Sequence, residues 1–188
     1  MKVGILALQG AFIEHARAVR ACGHDPVEIR KPEQLDGCRA LIIPGGESTT
    51  IGKLMNEFNL FEEVRARGQQ GMPILGTCAG MVLLAKVIEE SEQPRLGLMN
   101  ITVKRNAFGR QVDSFEADLV VPVLGNQPVR AVFIRAPYIT AVGPGVDVLA
   151  VFDGKIVLAR QDKMMACAFH PELTEDLRLH RYFLDLVD

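Results

Sequence analysis

Apolar residues in the first part of the chain come in short unbroken runs. Each run is followed by a stretch in which they recur every three or four positions. Residues 2–8 form the first run and read as a buried strand. After the turn at Gln9-Gly10, Phe12, Ala16 and Val19 lie on one stripe of a helix over residues 11–22, which Gly23 ends as a left-handed cap. Residues 27–29 predict a second, shorter strand, residues 32–35 a turn of helix, and residues 40–43 a fully apolar third strand. Ile51, Leu54, Met55 and Phe58 predict a helix capped near Ser48. A short strand at residues 73–75 comes next, then Met81, Leu84 and Ala85 on a helix that starts near Ala79. Strands alternating with helices imply a parallel sheet covered on both faces.

The character then changes. Residues 100–104, 119–123, 129–135, 146–152, 155–160 and 164–169 are strand candidates separated by Gly, Pro or Asp turns. A polar segment at residues 105–116 has neither period and reads equally as a solvated connection or a binding loop. Thr174 is expected to cap a last helix, with Glu175 and Asp176 in its first turn and Leu177, Tyr182 and Leu186 on its apolar face. The expected fold class is α/β: a three-layer, open, mostly parallel sheet with helices on both faces and a β-rich second half, in a single domain over residues 1–188.

Composition narrows the partners. A chain of 188 residues can bury roughly 70% of its unfolded surface without disulfides or metals. Hydrophobic residues at 48% and charged residues at 23% fit a globular protein. A net charge of -2 supplies no basic excess for nucleic acid or an anionic membrane. The N-terminal apolar run is too short for a signal peptide and no run reaches membrane-spanning length, so a cytoplasmic location is expected. Cys22, Cys38, Cys78 and Cys167 form no Cys-x-x-Cys pair, which argues against zinc and structural disulfides; no metal and no cofactor is expected.

The candidate chemistry centres on Cys78. Gly76 and Gly80 flank it at two residues on either side, with a strand before and a helix after, which is the spacing of a nucleophile elbow. The start of that helix favours thiolate over thiol, and its free N–H groups can hold an oxyanion. A base is supplied by His170, at the end of the strand candidate over residues 164–169. Glu172 stands two residues on, and in extended backbone it points the same way and can hold the ring by one nitrogen. His15, His24 and His180 lack such a partner and read as surface or packing residues. Gln9-Gly10, Gly45-Gly46 and Cys78 would gather beyond the carboxyl ends of parallel strands, where open α/β sheets bind ligands. Taken alone, Pro44-Gly45-Gly46 reads as a plain loop.

Nucleophile, base and orienter in the order Cys78, His170, Glu172 resemble the triad of class I glutamine amidotransferases. The segments Leu6-Ala7-Leu8-Gln9-Gly10, Pro44-Gly45-Gly46-Glu47-Ser48-Thr49-Thr50, Gly76-Thr77-Cys78-Ala79-Gly80, residues 105–116, Phe133-Ile134-Arg135-Ala136-Pro137 and Phe169-His170-Pro171-Glu172-Leu173-Thr174 closely resemble the glutaminase subunits of pyridoxal phosphate synthases. The resemblance spans essentially the whole chain and implies a flavodoxin-like sheet. It also implies hydrolysis of L-glutamine through a cysteinyl thioester on Cys78, with ammonia passed to a (β/α)8-barrel synthase subunit. Gly46, Glu47, Ser48, Arg105, Ile134 and Arg135 would line the glutamine site, and the N–H groups of Gly46 and Ala79 would form the oxyanion hole. A peptidase or γ-glutamyl hydrolase of similar architecture is the alternative, as is a binding module that kept the fold without the activity.

Overall fold

A computed structural model describes residues 1–106, 108 and 113–187. Ala107 and residues 109–112 of the polar segment, and Asp188, lie outside the described residues.

The chain begins with two crossovers that run in opposite directions. β1 (Lys2–Leu6) leads through α1 (Phe12–Ala21) to β2 (Asp25–Ile29), which pairs on one side of β1. β3 (Cys38–Ile43) pairs on the other side of β1 and leads through α2 (Ser48–Glu57) and α3 (Phe61–Gln69) to β4 (Ile74–Thr77). Because such crossovers are right-handed, helices that connect strands in opposite directions cover opposite faces of the sheet. After β4 come α4 (Ala79–Leu84), β5 (Ala85–Ile88), β6 (Met99–Lys104), β7 (Ser114–Leu119), β8 (Val129–Ile134), β9 (Tyr138–Val142), β10 (Val146–Phe152), β11 (Lys155–Gln161), β12 (Met164–Cys167) and α5 (Arg178–Asp185).

The ten-stranded sheet has the order β2-β1-β3-β4-β12-β11-β9-β6-β5, with β10 paired to β11. From β2 to β12 every neighbouring pair is parallel. Beyond β12 the pairings of β11, β10, β9 and β6 are antiparallel, and β5 rejoins in parallel at the far edge. This is the expected α/β sheet with a β-rich second half. Val3, Ile5, Ala40, Leu41, Ile42, Ile43, Ile74, Leu75, Met165 and Ala166 are fully buried, as strands covered on both faces require. Among the described residues no helix is long and apolar enough to cross a membrane.

Three expectations need correction. The strand expected at residues 119–123 is instead β7, which alternates between exposed and half-buried positions and pairs with β8 to form a separate two-stranded ribbon. Pro122 has no N–H for a ladder and opens a 3-10 turn over Pro122–Leu124. The helix after Cys78 stops at Leu84, and Ala85 starts β5. All six residues of α4 are buried, so their apolar run carried no period that could mark its end. Thr174 does not cap α5: its Oγ donates to the Pro171 carbonyl at 3.2 Å and accepts the Asp176 N–H at 3.3 Å, closing the turn over Pro171–Leu173. The residue at the N-cap of α5 is Leu177, and Asp176 accepts the Arg178 N–H at 3.0 Å. α2 is capped near Ser48 as expected, by the neighbouring Glu47: its carboxylate accepts the N–H groups of Thr49 and Thr50 at 3.2 and 2.7 Å. α3, β5 and β9 were not foreseen.

The ribbon is anchored by aromatic packing. Phe108 sits 5.4 Å from Phe115 and 5.4 Å from Phe133, and Phe115 stacks on Phe133 at 4.7 Å. The two Phe residues of the polar segment therefore serve as anchors, packed against Phe133 of β8, the strand that ends at Ile134 in the site.

Candidate active site

The loops after β1 and β3 leave the sheet toward opposite faces and open a crevice between them, the position at which doubly wound sheets bind ligands. The two loops touch: the Ala11 N–H donates to the Gly45 carbonyl at 3.1 Å, and the Glu47 N–H donates to Gln9 Oε1 at 2.8 Å. β4 ends beside β3 and places Cys78 on the floor of the crevice. A cavity of about 450 Å³ results, within the range for small-molecule sites. Gly46, Glu47, Ser48, Cys78, Ala79, Arg105, Ile134, Arg135 and His170 all line it. Of the catalytic, glutamine-binding and oxyanion residues expected from the sequence, only Glu172 lies outside its wall, behind His170.

The elbow at Cys78 is strained as the spacing implied. Cys78 has φ 48° and ψ −105°, an unfavourable conformation for an L-residue, which the surrounding bonds must hold in place. Its N–H donates to the Cys167 carbonyl at 2.7 Å, tying the turn to β12, and its carbonyl accepts the Val82 N–H at 3.2 Å. A Cβ on Gly80 would lie 2.0 Å from the Ile43 carbonyl oxygen, so only glycine lets α4 pack this close to β3. The thiol Sγ is 3.8 Å from the Ile134 carbonyl. Asn106 (φ 46°) and Arg135 (φ 43°), which also line the cavity, share the positive φ.

His170 follows β12, its N–H bonded to the Val132 carbonyl at 2.8 Å. Its Nδ1 lies 2.6 Å from Glu172 Oε1, and the Glu172 side chain is wholly buried. Burial disfavours the charged ring, but hydrogen bonds to Cys78 and Glu172, together with their charges, outweigh it and push the His170 pKa up to about 10. A Cβ on Gly45 would lie 2.4 Å from His170 Cε1 and 3.2 Å from Cys78 Cβ. The glycine loop is thus in direct contact with both reacting side chains. By contrast, the Cys167 thiol is fully buried and its pKa is raised well above the usual range, chiefly by that burial.

On the opposite wall, Arg105 Nη1 donates to Gln93 Oε1 at 2.7 Å, and Gln93 Nε2 donates to Ser48 Oγ at 3.1 Å. Gln93 thereby fixes the guanidinium relative to the start of α2. Gln93 was not anticipated, because it lies in an irregular stretch with no period or motif around it. Gln9 lies at the site with its loop, as its position after the first strand implies, and its side chain also accepts the Glu47 N–H. The Glu47 carboxylate is committed to the Thr49 and Thr50 N–H groups and hydroxyls. These bonds overcome partial desolvation and lower its pKa to about 2. Its ring of donors makes it a helix cap as well as part of the cavity wall.

Two of the histidines read as surface or packing residues are packed in the interior, with ring partners that the sequence did not show. His15 and His180 are fully buried and lie behind the triad. His15 Nε2 is 3.0 Å from Thr77 Oγ1 and 3.4 Å from Glu172 Oε2, and His15 Nδ1 is 3.0 Å from His180 Nε2. Both were missed because their partners are 62 or more residues away in the chain. The one local hint was that each occupies a helical position among buried apolar neighbours. Among the described residues there is no group of three or more His, Cys, Asp or Glu side chains able to hold a metal ion.

The chain matches the model of the SNO glutamine amidotransferase family over residues 5–188. It is 74% identical over 188 residues to the pyridoxal 5'-phosphate synthase subunit PdxT of Desulforudis audaxviator, covering all of both chains. It is 68% identical over 185 residues to the subunit of the same name from Pelotomaculum thermopropionicum, covering 98% of this chain and 94% of that one. A crystal structure of a glutamine amidotransferase superposes with a TM-score of 0.94 at 56% identity, covering 98% of each chain. PurLQS from Thermotoga maritima, at 14% identity and a TM-score of 0.74 over 100% of this chain and 98% of that one, shares the fold alone. Identity at this level across the full length, over a sheet that brings Cys78, His170 and Glu172 to one crevice, places the chain in the SNO glutamine amidotransferase family.

Proposed function

We propose that residues 1–188 act as one glutaminase domain in which Cys78, His170 and Glu172 hydrolyse L-glutamine. The observation that carries the reading is the strained elbow of Cys78 beside a His170 held by a buried Glu172, on the floor of a cavity walled by Arg105. Cys78 Sγ attacks the side-chain carboxamide carbon after its proton has passed to His170 Nε2, which the raised His170 pKa favours. His170 then gives that proton to the departing nitrogen, the C–N bond breaks, and ammonia leaves a γ-glutamyl thioester. Water adds with His170 as base, the C–S bond breaks, and glutamate and the free thiol are released. Glu172 keeps the Nδ1 proton in place and stabilises the imidazolium. Arg105, fixed by Gln93, is suited to the α-carboxylate, with Glu47, Ser48, Ile134 and Arg135 shaping the rest of the pocket.

The N–H groups of Gly46 and Ala79 are assigned to the oxyanion, each worth roughly 3 kcal/mol to the transition state. In this structure the Gly45 carbonyl is held by the Ala11 N–H, and in a trans peptide the Gly46 N–H points the opposite way. A partner that broke this bond would free the peptide to rotate and set the Gly46 donor. The relatives are named as subunits of pyridoxal 5'-phosphate synthase. On the resemblance of the sequence motifs, the ammonia goes to a (β/α)8-barrel synthase subunit that builds pyridoxal 5'-phosphate from a pentose phosphate and a triose phosphate. Four free thiols, at Cys22, Cys38, Cys78 and Cys167, support a reducing, cytoplasmic setting.

The test is glutamine hydrolysis by the chain alone and with that synthase subunit, alongside cofactor synthesis with ammonium salt in place of the chain. Hydrolysis that needs Cys78 and rises with the synthase supports the proposal. Full activity in the isolated chain would remove the coupling, and absence of glutaminase activity in both would remove the function.

A further inference from the structure

Glu172 uses one carboxylate oxygen on His170. The other, Oε2, is buried with no hydrogen-bond partner, and His15 Nε2 faces it at 3.4 Å. That distance is long for a hydrogen bond, as catalytic contacts often are before substrate binds. The same Nε2 is 3.0 Å from Thr77 Oγ1, on the residue just before the nucleophile. On its other side His15 Nδ1 meets His180 Nε2 at 3.0 Å, and His180 Nδ1 is buried without a partner. His15 stands on α1, His180 on α5 and Thr77 at the end of β4, so three elements meet behind the triad.

The protons can be placed by elimination. If His180 carries its proton on Nε2, it donates to His15 Nδ1, and His15 must carry its own on Nε2. That proton then faces the Thr77 oxygen and the Glu172 carboxylate, and the only unpaired nitrogen is a lone pair on His180 Nδ1. The reverse tautomers would bury a His180 N–H with no acceptor and set a His15 lone pair against the Glu172 carboxylate. An orphaned donor and a lone-pair repulsion cost more than one orphaned acceptor. Both rings are kept neutral: burial first, then the neighbouring His180 and His170, hold the His15 pKa well below its ordinary value, and burial lowers His180 to about 4.

We propose that His15, seated on His180, is a positioning residue: its Nε2–H fixes the second oxygen of Glu172 and ties it to Thr77, so that the orienting carboxylate and the strand end carrying the nucleophile keep one relative placement. The inference rests on the Cys78, His170, Glu172 reading given above. A neutral donor suits this role better than a cation, because it orients the carboxylate without neutralising the charge that His170 needs.

The test uses the full chain together with the synthase subunit and glutamine. His15→Met, similar in bulk but without a donor, is expected to lower kcat about 10- to 100-fold with little change in KM, as misplacement of a catalytic group does. His15→Gln, whose amide nitrogen can reach toward Glu172, is expected to restore most of that loss. In the 15N spectrum of the isolated wild-type chain, His15 should carry its proton on Nε2 at neutral pH. A folded His15→Met protein with wild-type kcat overturns the inference. So does an equal loss in the Met and Gln variants, which would mean packing alone. Should His15→Met not fold, a wild-type His15 protonated on Nδ1 overturns it by itself. Ammonia release lost in Cys78→Ala but kept at the wild-type rate in His15→Met rejects only the positioning role, whereas wild-type release that persists in Cys78→Ala rejects the triad reading beneath it.

Discussion

His170 Nδ1 and Glu172 Oε1 are 2.6 Å apart, and the carboxylate that makes this bond has no exposure to solvent. Two residues in sequence thus form a buried pair with a single geometry. Glu172→Gln keeps the shape but removes the charge, and its amide can turn its NH₂ toward Nδ1 and favour the wrong tautomer. Turnover is expected to fall on the order of 100-fold or more, with KM changed little. Steady-state kinetics with glutamine check this; a raised KM at unchanged kcat would contradict it.

The His170 pKa, about 10 in the folded protein, has a consequence for stability. A folded value above the unfolded one of 6.5 means that the folded state holds the proton more tightly. The stabilisation is complete below about pH 6.5 and is lost as pH rises through about 10. Cys78→Ala removes the larger of the two hydrogen bonds that raise the value, so its His170 should titrate lower and the alkaline loss of stability should begin at lower pH. NMR titration of the ring and denaturation midpoints between pH 6 and 10 measure both.

A chloroketone analogue of glutamine should label Cys78 and spare the other three thiols. Cys167 has no exposure, and burial raises its pKa well above the usual range; burial also raises those of Cys38 and Cys22. Peptide mapping reads the result, and modification of Cys22, Cys38 or Cys167 in place of Cys78 would refute the assignment.

Gly45→Ala puts a methyl group 2.4 Å from His170 Cε1, against a ring already held by Glu172. Either the ring or the loop must move, and a shift of this size is expected to cost roughly 100-fold in kcat. The Cα position is buried and close to the Cys78 side chain as well, so circular dichroism should accompany the kinetics to show that the fold survives.

Arg105→Ala should act mainly on KM, raising it about 10- to 100-fold if the guanidinium makes a charge-assisted bond to the α-carboxylate. Gln93→Leu should produce a smaller effect of the same kind, because it releases Arg105 and Ser48 without removing the charge. Unchanged KM in both would move the carboxylate contact elsewhere, with Arg135 the next arginine to test.

Local chemistry was legible in the sequence. The elbow follows from Gly76, Cys78 and Gly80, because a tight strand-to-helix turn excludes side chains at fixed offsets. The pairing of His170 with Glu172 was legible from a carboxylate two residues on, although the backbone between them is a 3-10 turn over Pro171–Leu173 and not the extended chain expected. The parallel half of the sheet follows from apolar runs too continuous for one-sided strands. Tertiary structure alone decided the rest. β9 and β5 carry few residues of distinctive period, and their places are set by the strands they pair with, β11 and β6 for β9 and β6 for β5, rather than by their own composition. Gln93 bonds both Ser48 at the start of α2 and Arg105 just after β6, two residues that only the folded chain brings to one side chain. His15, on the first helix, and His180, on the last, are 165 residues apart and come within 3.0 Å only when both helices have packed. A sequence specifies directly what neighbours in the chain do to one another. Contacts over such separations depend on how the sheet brings its faces together, and no local pattern encodes them.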